Sequence, residues 1–171
     1  MTSSQARLTL FGGILFLAVH TVTSAQEFSI EDIPPGLRSR AIIMDIATQI
    51  VEQNQNVVWN SVNSKITIPG RPVGITLVGT NIIIAVQFTP FFRSDGNNFL
   101  VAQGQIWINS PDGLSFYTTM QTIPMEFEEF IYFFPLGSDD SDEDALIIIE
   151  LVLYPYTTET AEARRGNTGS P

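Results

Sequence analysis

Two different spacings of apolar residues divide the chain near residue 57. Between residues 37 and 53, apolar side chains recur every three to four positions, which is the spacing of an amphipathic helix. The apolar stripe consists of Ile43, Ile46, Ala47 and Ile50. Pro34-Pro35 provides a helix start, after an extended leader that begins at Gln26. We expect this helix to pack on its own domain, and the alternative is a helix that binds a partner.

From Val57 onward, β-branched and aromatic runs alternate with turn residues, which predicts strands. The predicted strands are Val57–Ser61, Lys65–Ile68, Val73–Val78, Asn81–Phe92, Phe99–Asn109, Leu114–Ile123, Glu129–Phe134 and Leu146–Tyr154. The first two can form one irregular edge strand, because prolines follow them and proline is tolerated at a sheet edge. The pattern predicts a mainly-β fold: an antiparallel β-sandwich over residues 57–156, with the N-terminal helix packed on it. In strand count the sandwich resembles the immunoglobulin fold, although the Cys–Trp–Cys core pattern is absent.

Both ends of the chain are predicted to lie outside this domain. Residues 1–25 have the pattern of a secretory signal peptide, with Arg7 before an apolar run and Thr23-Ser24-Ala25 as a cleavage site. Residues 157–171 are polar and are predicted to be disordered. The signal predicts export, to the periplasm or the extracellular space.

After cleavage of the predicted signal peptide, the exported protein would contain neither histidine nor cysteine. The single histidine, His20, lies in the predicted signal peptide, and the sequence contains no cysteine. Ser-His-Asp catalysis, Cys-His catalysis and Cys/His zinc sites are therefore excluded for the exported product. An exported chain of this size without cysteine is typical of a bacterial route rather than of a disulfide-stapled extracellular module.

The charge of the chain limits its partners. The net charge is −10, and no Lys or Arg occurs between Arg93 and Arg164. Nucleic acid is excluded as a partner, because phosphate binding needs a basic stripe. After residue 25 no apolar run approaches the length of a membrane-spanning helix. We expect no cofactor, with calcium as the one open alternative.

Two predicted hairpins bring uncharged polar side chains to one sheet face. A loop at 111–113 and a similar loop at 95–97 fix the registers. The first hairpin pairs Trp107 with Tyr117, Gln105 with Thr119 and Gln103 with Gln121. The second pairs Gln87 with Gln105 and Thr89 with Gln103. Such a face can bind a glycan or a polar protein partner, since amides exchange hydrogen bonds and aromatic rings stack. The alternative is a plain solvent-facing sheet surface, but such surfaces usually carry Lys and Glu.

Two acidic segments could carry further chemistry. In the loop before the last strand, Asp140, Asp142 and Asp144 alternate like the first ligands of a calcium-binding loop, although the glycine and the final glutamate of that motif are missing. The alternative is a solvated loop that separates two apolar strands. Glu126, Glu128 and Glu129 could form the carboxylate pair of a glycoside hydrolase, but a charged strand edge explains them equally well.

The apolar run from Phe130 to Phe134 predicts either a central strand covered on both faces or a strand with one exposed, protein-binding face. Taken together, these patterns predict an exported, non-catalytic envelope protein, either periplasmic or secreted. We expect it to act through its polar Gln/Thr/aromatic sheet face on an envelope protein or a glycan.

Overall fold

The computed structural model describes residues 29–52, 57–137, 145–157 and 159–161. Its strands are β1 (Ile42–Glu52), β2 (Val57–Thr67), β3 (Val73–Val78), β4 (Ile82–Phe91), β5 (Phe99–Ser110), β6 (Gly113–Pro124), β7 (Ile131–Phe133) and β8 (Ala145–Pro155). They form two antiparallel sheets of four strands. Sheet A has the order β2-β1-β8-β7, and sheet B has the order β3-β4-β5-β6.

The mainly-β prediction is confirmed, and most strand positions agree with it. β3 has the predicted bounds, and the two candidate strands after Val57 are indeed one edge strand, β2. The predicted signal peptide (1–25), the acidic loop with its three aspartates and most of the predicted tail lie outside the described residues.

The predicted helix over residues 37–53 is wrong. Residues 42–52 form β1, which lies between β2 and β8 in sheet A. Ile42, Met44, Ile46 and Ile50 are buried on one face of this strand, and Ile43 is buried on the other. Because apolar residues lie on both faces of β1, their spacing also matches that of an amphipathic helix. The polar Thr48 is buried on the inner face, so polar and apolar residues do not alternate strictly as expected for a strand. The β-branched isoleucines favour the strand.

A helix does begin at Pro35, but it is a 3-10 helix and it ends at Arg40. The Arg38 Nε–H group donates a hydrogen bond of 2.9 Å to the carbonyl oxygen of Ile33. Ile33 is fully buried, although it does not belong to the main core cluster. Burial of Ile33 and the hydrogen bond from Arg38 therefore help to hold the segment before β1 in place.

One hydrophobic cluster takes side chains from both sheets. From sheet A it includes Met44, Ile46, Phe133, Ile149 and Leu151, and from sheet B it includes Ile84, Val86, Phe88, Leu100 and Ile106. The rings of Phe88 and Phe133 join the two sheets in an edge-to-face contact, with centroids 5.8 Å apart. Because alternate residues of a strand point to opposite faces, this cluster defines the inner face of each sheet and leaves the other face outside.

A close approach between β5, β6 and the end of β7 depends on a glycine. A Cβ atom at Gly104 would lie 2.6 Å from Thr119 Oγ1 and 3.6 Å from Phe133 Cζ. Gly104 is paired with Thr119 across the ladder. The Thr119 hydroxyl is buried and has no hydrogen-bond partner within the described residues. The hydroxyl thus occupies the space that any larger residue at position 104 would need.

We predict that Gly104→Ala lowers the free energy of unfolding by about 1–3 kcal/mol, because the added methyl group overpacks this contact. Thr119→Ala should restore most of that loss in the double variant, since the methyl group then fills the space of the hydroxyl. Chemical denaturation of the single and double variants in a double-mutant cycle measures this coupling.

Gly74→Ala is the matched control for this prediction. A Cβ atom at Gly74 would meet its nearest neighbour at 3.7 Å, which is an ordinary van der Waals contact. Its stability should therefore change little or rise slightly. Equal losses for Gly104→Ala and Gly74→Ala, or no recovery in the double variant, would contradict the prediction.

Candidate binding surface

The β4–β5 ladder brings most of the predicted polar residues to the outer face of sheet B. In the register, Gln87 pairs with Gln103, Ala85 with Gln105 and Ile83 with Trp107. Thr89 lies on the same face, since it is two residues from Gln87. The glutamines are exposed, and Trp107 is partly buried. The shared face of these five predicted residues (Gln87, Thr89, Gln103, Gln105 and Trp107) is therefore confirmed.

The predicted β4–β5 register itself is wrong by two residues. β4 ends at Phe91 and β5 starts at Phe99, so the connection is longer than the predicted three-residue loop. The left-handed position of this connection is taken by Gly96, with a φ of 81°, and not by Asn97. A shift of two residues keeps every side chain on its face, which explains why the face was still found.

The predicted β5–β6 register is wrong by one residue, and this changes the face of β6. Ser110 pairs with Gly113, so the turn has two residues, Pro111 and Asp112, and Gly113 already belongs to β6 with a φ of 124°. As a result Tyr117, Thr119 and Gln121 lie on the inner side of sheet B, opposite to their predicted position. They do not join the five predicted residues on the outer face.

Their places on the outer face are taken by Phe116, Thr118 and Met120, which pair with Trp107, Gln105 and Gln103. Phe116 and Trp107 are in contact, with ring centroids 5.3 Å apart. The side-chain amide of Gln103 donates a hydrogen bond of 3.6 Å to the sulfur of Met120. Phe116 is 53% exposed and Met120 is 70% exposed. Sequence patterning missed these residues because it placed them on the core side.

The outer face of sheet B is uncharged throughout. None of the residues of β3, β4, β5 and β6, all of which the structure describes, is Asp, Glu, Lys or Arg. The chain as a whole carries 18 acidic and 8 basic residues, so this is an uneven distribution and not a general lack of charge. We use the name glutamine face for six exposed residues and the partly buried Trp107 on this surface: Gln87, Gln103, Gln105, Trp107, Phe116, Thr118 and Met120.

The outer face of sheet A differs, because it carries charged residues with hydrogen-bond partners. The Ser64 hydroxyl donates a hydrogen bond of 2.7 Å to the Asp45 carboxylate across the β1–β2 ladder. At the β7 edge of the same outer face, Tyr132 of β7 pairs with Glu150 of β8. The hydrogen bond from the Tyr132 hydroxyl to the Glu150 carboxylate, together with the negative charge of that carboxylate, raises the pKa of Tyr132 above its ordinary value.

The three glutamates proposed as a hydrolytic group do not share a strand. Glu126, Glu128 and Glu129 lie in the connection between β6 and β7, and all three are exposed. Glu128 has a φ of 67°, and its backbone N–H donates a hydrogen bond of 2.9 Å to the carbonyl oxygen of Leu153. The assumed strand from Glu129 begins only at Ile131, so the expected common face of these carboxylates does not form.

The aromatic run after these glutamates forms an edge strand. Ile131 and Phe133 belong to the core cluster, while Phe130 and Tyr132 are exposed. The second of the two predicted arrangements, a strand with one exposed face, is therefore the one observed.

Within the described ranges, no group of three or more acidic, histidine or cysteine side chains could hold a metal ion.

Comparison with known proteins gives no match to a protein-family model, a curated protein or a solved structure. Among the residues that the structure describes, no helix has both the length and the hydropathy needed to cross a membrane. The candidate surface is thus defined by its own geometry alone.

We predict that the Tyr132–Glu150 pair stabilises the fold at neutral pH and loses this effect at high pH. The raised pKa of Tyr132 means that the contribution is fully present below the ordinary tyrosine pKa of about 10 and disappears as the pH rises through the higher folded-state value. Glu150→Gln should bring the pKa of Tyr132 back toward its ordinary value.

The measurement is a tyrosinate absorbance titration of the folded protein, with Tyr132→Phe used to assign the signal of Tyr132. Asp45→Asn is the matched control, since it removes a carboxylate from the same sheet face but not from this pair. If Glu150→Gln leaves the Tyr132 titration unchanged, the pair has no such role.

Proposed function

We propose that this chain is a non-catalytic, exported protein that binds an uncharged partner through the glutamine face. The observation that carries the proposal is the complete absence of charged residues from an exposed sheet face of a strongly charged chain. A sheet face that only contacts water usually carries Lys and Glu, whose charges prevent strands from associating. Contact with water alone therefore does not explain why this face has no Lys and no Glu.

The chemistry of the face fits recognition by hydrogen bonding and stacking. Gln87, Gln103 and Gln105 lie on two adjacent strands, so their amide groups present both donors and acceptors in a small area. Beside them, Trp107 and Phe116 supply aromatic surface. Such a set binds polar, uncharged groups, and it gains nothing from a charged ligand.

An envelope protein is our first candidate for the partner, and a neutral glycan is the second. The glycan is favoured by the contact between Trp107 and Phe116 next to Gln105, because aromatic rings stack on the apolar faces of sugar rings while amides bind the hydroxyl groups. Phe116 is the more exposed of the two rings and would carry most of the stacking.

Three further parts of the proposal rest on separate observations. The two sheets are proposed to pack as a β-sandwich, which is supported by the single core cluster and by the Phe88–Phe133 contact. Export to the periplasm or the medium is supported by the signal-like pattern of residues 1–25. The absence of catalysis is supported by the lack of cysteine and by the separation of the three glutamates from any common strand face.

We predict that a photo-crosslinking residue at Gln105 captures a discrete partner in the native cell envelope. The same residue at Val62 is the matched control, because Val62 is 74% exposed on the outer face of sheet A. Mass spectrometry of the adduct identifies the partner. Adducts of equal yield from both positions, or none from Gln105, would rule out the glutamine face as the specific surface.

We also predict that neutral polysaccharides change the fluorescence of Trp107 if the partner is a glycan. The chain has two tryptophans, and Trp59→Phe leaves Trp107 as the sole reporter. In this background Phe116→Ala should weaken binding at least about tenfold, the effect of losing one stacking contact of roughly 1.4 kcal/mol. Phe130→Ala, which removes an exposed ring elsewhere, should have no effect. Binding that survives Phe116→Ala unchanged would exclude the glycan candidate.

A further inference from the structure

Among the strands that the structure describes, four lie at sheet edges, and three of these have features that hinder pairing with another chain. In β2, Lys65 pairs with Met44, a core residue, so a charged side chain lies on the inner side of an edge strand. The β1–β2 register also shifts between Ile50 and Val51. An inward-pointing charge and a bulge both disfavour addition of a further strand.

The edges formed by β3 and β7 are protected by their shortness. β3 has 6 residues and follows Pro72, and β7 has 3 residues. A short strand offers few backbone groups to a partner, and a proline beside it removes one donor. Neither edge can support a long ladder.

β6 has none of these features. It has 12 residues, no charged side chain, and a proline only at its last position, Pro124. Its register with β5 is continuous from Gly113 to Pro124. In an antiparallel ladder, alternate residues direct their N–H and C=O groups to either side, so half of the β6 backbone groups point away from β5. Among the described strands none pairs with that side.

Apolar side chains flank this edge on both faces. Phe116 and Met120 lie on the outer face, and Tyr117, which is 55% exposed, lies on the inner side. Only Ser115, Thr119 and Ile123 are partly buried within β6. A strand added to β6 would cover these apolar groups as well as satisfy the backbone, which is the usual basis of recognition by strand addition.

We propose that β6 pairs in antiparallel orientation with β6 of a second copy of this chain, which joins the two four-stranded sheets B into one continuous sheet. The spacing of its exposed apolar residues selects this occupant: when Thr118 faces Thr118 of a second copy, Phe116 of each chain meets Met120 of the other, and both side chains are exposed in the single chain. Since the chain has a net charge of −10, most approaches of two copies are repulsive, but the strands of sheet B carry no charge. In twofold pairing each β6 residue meets another uncharged residue of the same strand.

The proposed dimer shares Phe116, Thr118 and Met120 with the glutamine face, but the oligomeric state is measured without any partner, and a matched pair of variants tests it. Sedimentation velocity of the whole chain should show a dimer that Thr118→Lys weakens at least about tenfold, because lysines on facing edge strands repel each other. Gln105→Lys is the control: Gln105 pairs with Thr118 and shares its face, but it lies one strand away from the edge. It should leave the dimer intact.

Met120→Lys and its cross-strand neighbour Gln103→Lys provide a second matched pair with the same expectation. Circular dichroism and thermal melting of all four variants identify any that fail to fold. Loss of the dimer in the folded Gln105→Lys and Gln103→Lys variants as well would overturn the proposal, since the interface would then be the sheet face. A wild-type chain that stays monomeric at high micromolar concentration would also overturn it.

Single cysteines locate the twofold axis, because the chain has no cysteine of its own. Phe116→Cys, Tyr117→Cys, Thr118→Cys, Thr119→Cys and Met120→Cys are oxidised in turn, with Gln105→Cys as the control. One of the five β6 positions should give a disulfide-linked dimer, since a residue at the axis faces its own copy. A disulfide from Gln105→Cys alone, or β6 crosslinks only to a different protein in the cell envelope, would contradict pairing between two copies.

Discussion

The shared core between the two sheets is the constraint on which the rest of the structure depends. Phe88 of sheet B and Phe133 of sheet A meet at its centre, and both are fully buried. Because side chains alternate along a strand, burying one face of β4 and β5 commits the opposite face to the surface. The glutamine face is therefore a consequence of the core: Gln87 and Gln103 are exposed because Val86, Phe88 and Ala102 are not.

The parts of the fold that followed from the sequence are those with a strict alternation of polarity. Ile84, Val86 and Phe88 alternate with Ala85, Gln87 and Thr89, so the polarity of this part of β4 assigns its two faces. β5 has the same pattern around Gln103 and Gln105. A wrong loop length changed the pairing partners in this hairpin but not the faces, since the core determines the face and the turn determines the partner.

The parts that did not follow are the two strands where polarity does not sort the faces. β1 buries side chains on both faces near Ile43, so its apolar residues also fit a helical stripe. β6 is largely exposed on both faces, and it has an exposed aromatic ring on each of them, Tyr117 on one side and Phe116 on the other. Where both faces are alike, a shift of one residue costs little, and pattern alone cannot choose between registers. The two-residue turn at Pro111-Asp112 determines the β5–β6 register.

β6 has similar uncharged side chains on both faces. For this reason its register cannot be read from the sequence pattern, and for the same reason it differs from the other edge strands. An edge strand that carries an inward-pointing charge, such as Lys65 in β2, resists pairing with other chains. β6 carries no charge, although acidic residues flank the strand at Asp112 and Glu126. The charged residues of the chain lie outside the strands of sheet B, so an uncharged sheet face lies at the surface of a strongly acidic chain. An exposed sheet of that kind, with an unprotected long edge, is a surface suited to contact with other molecules.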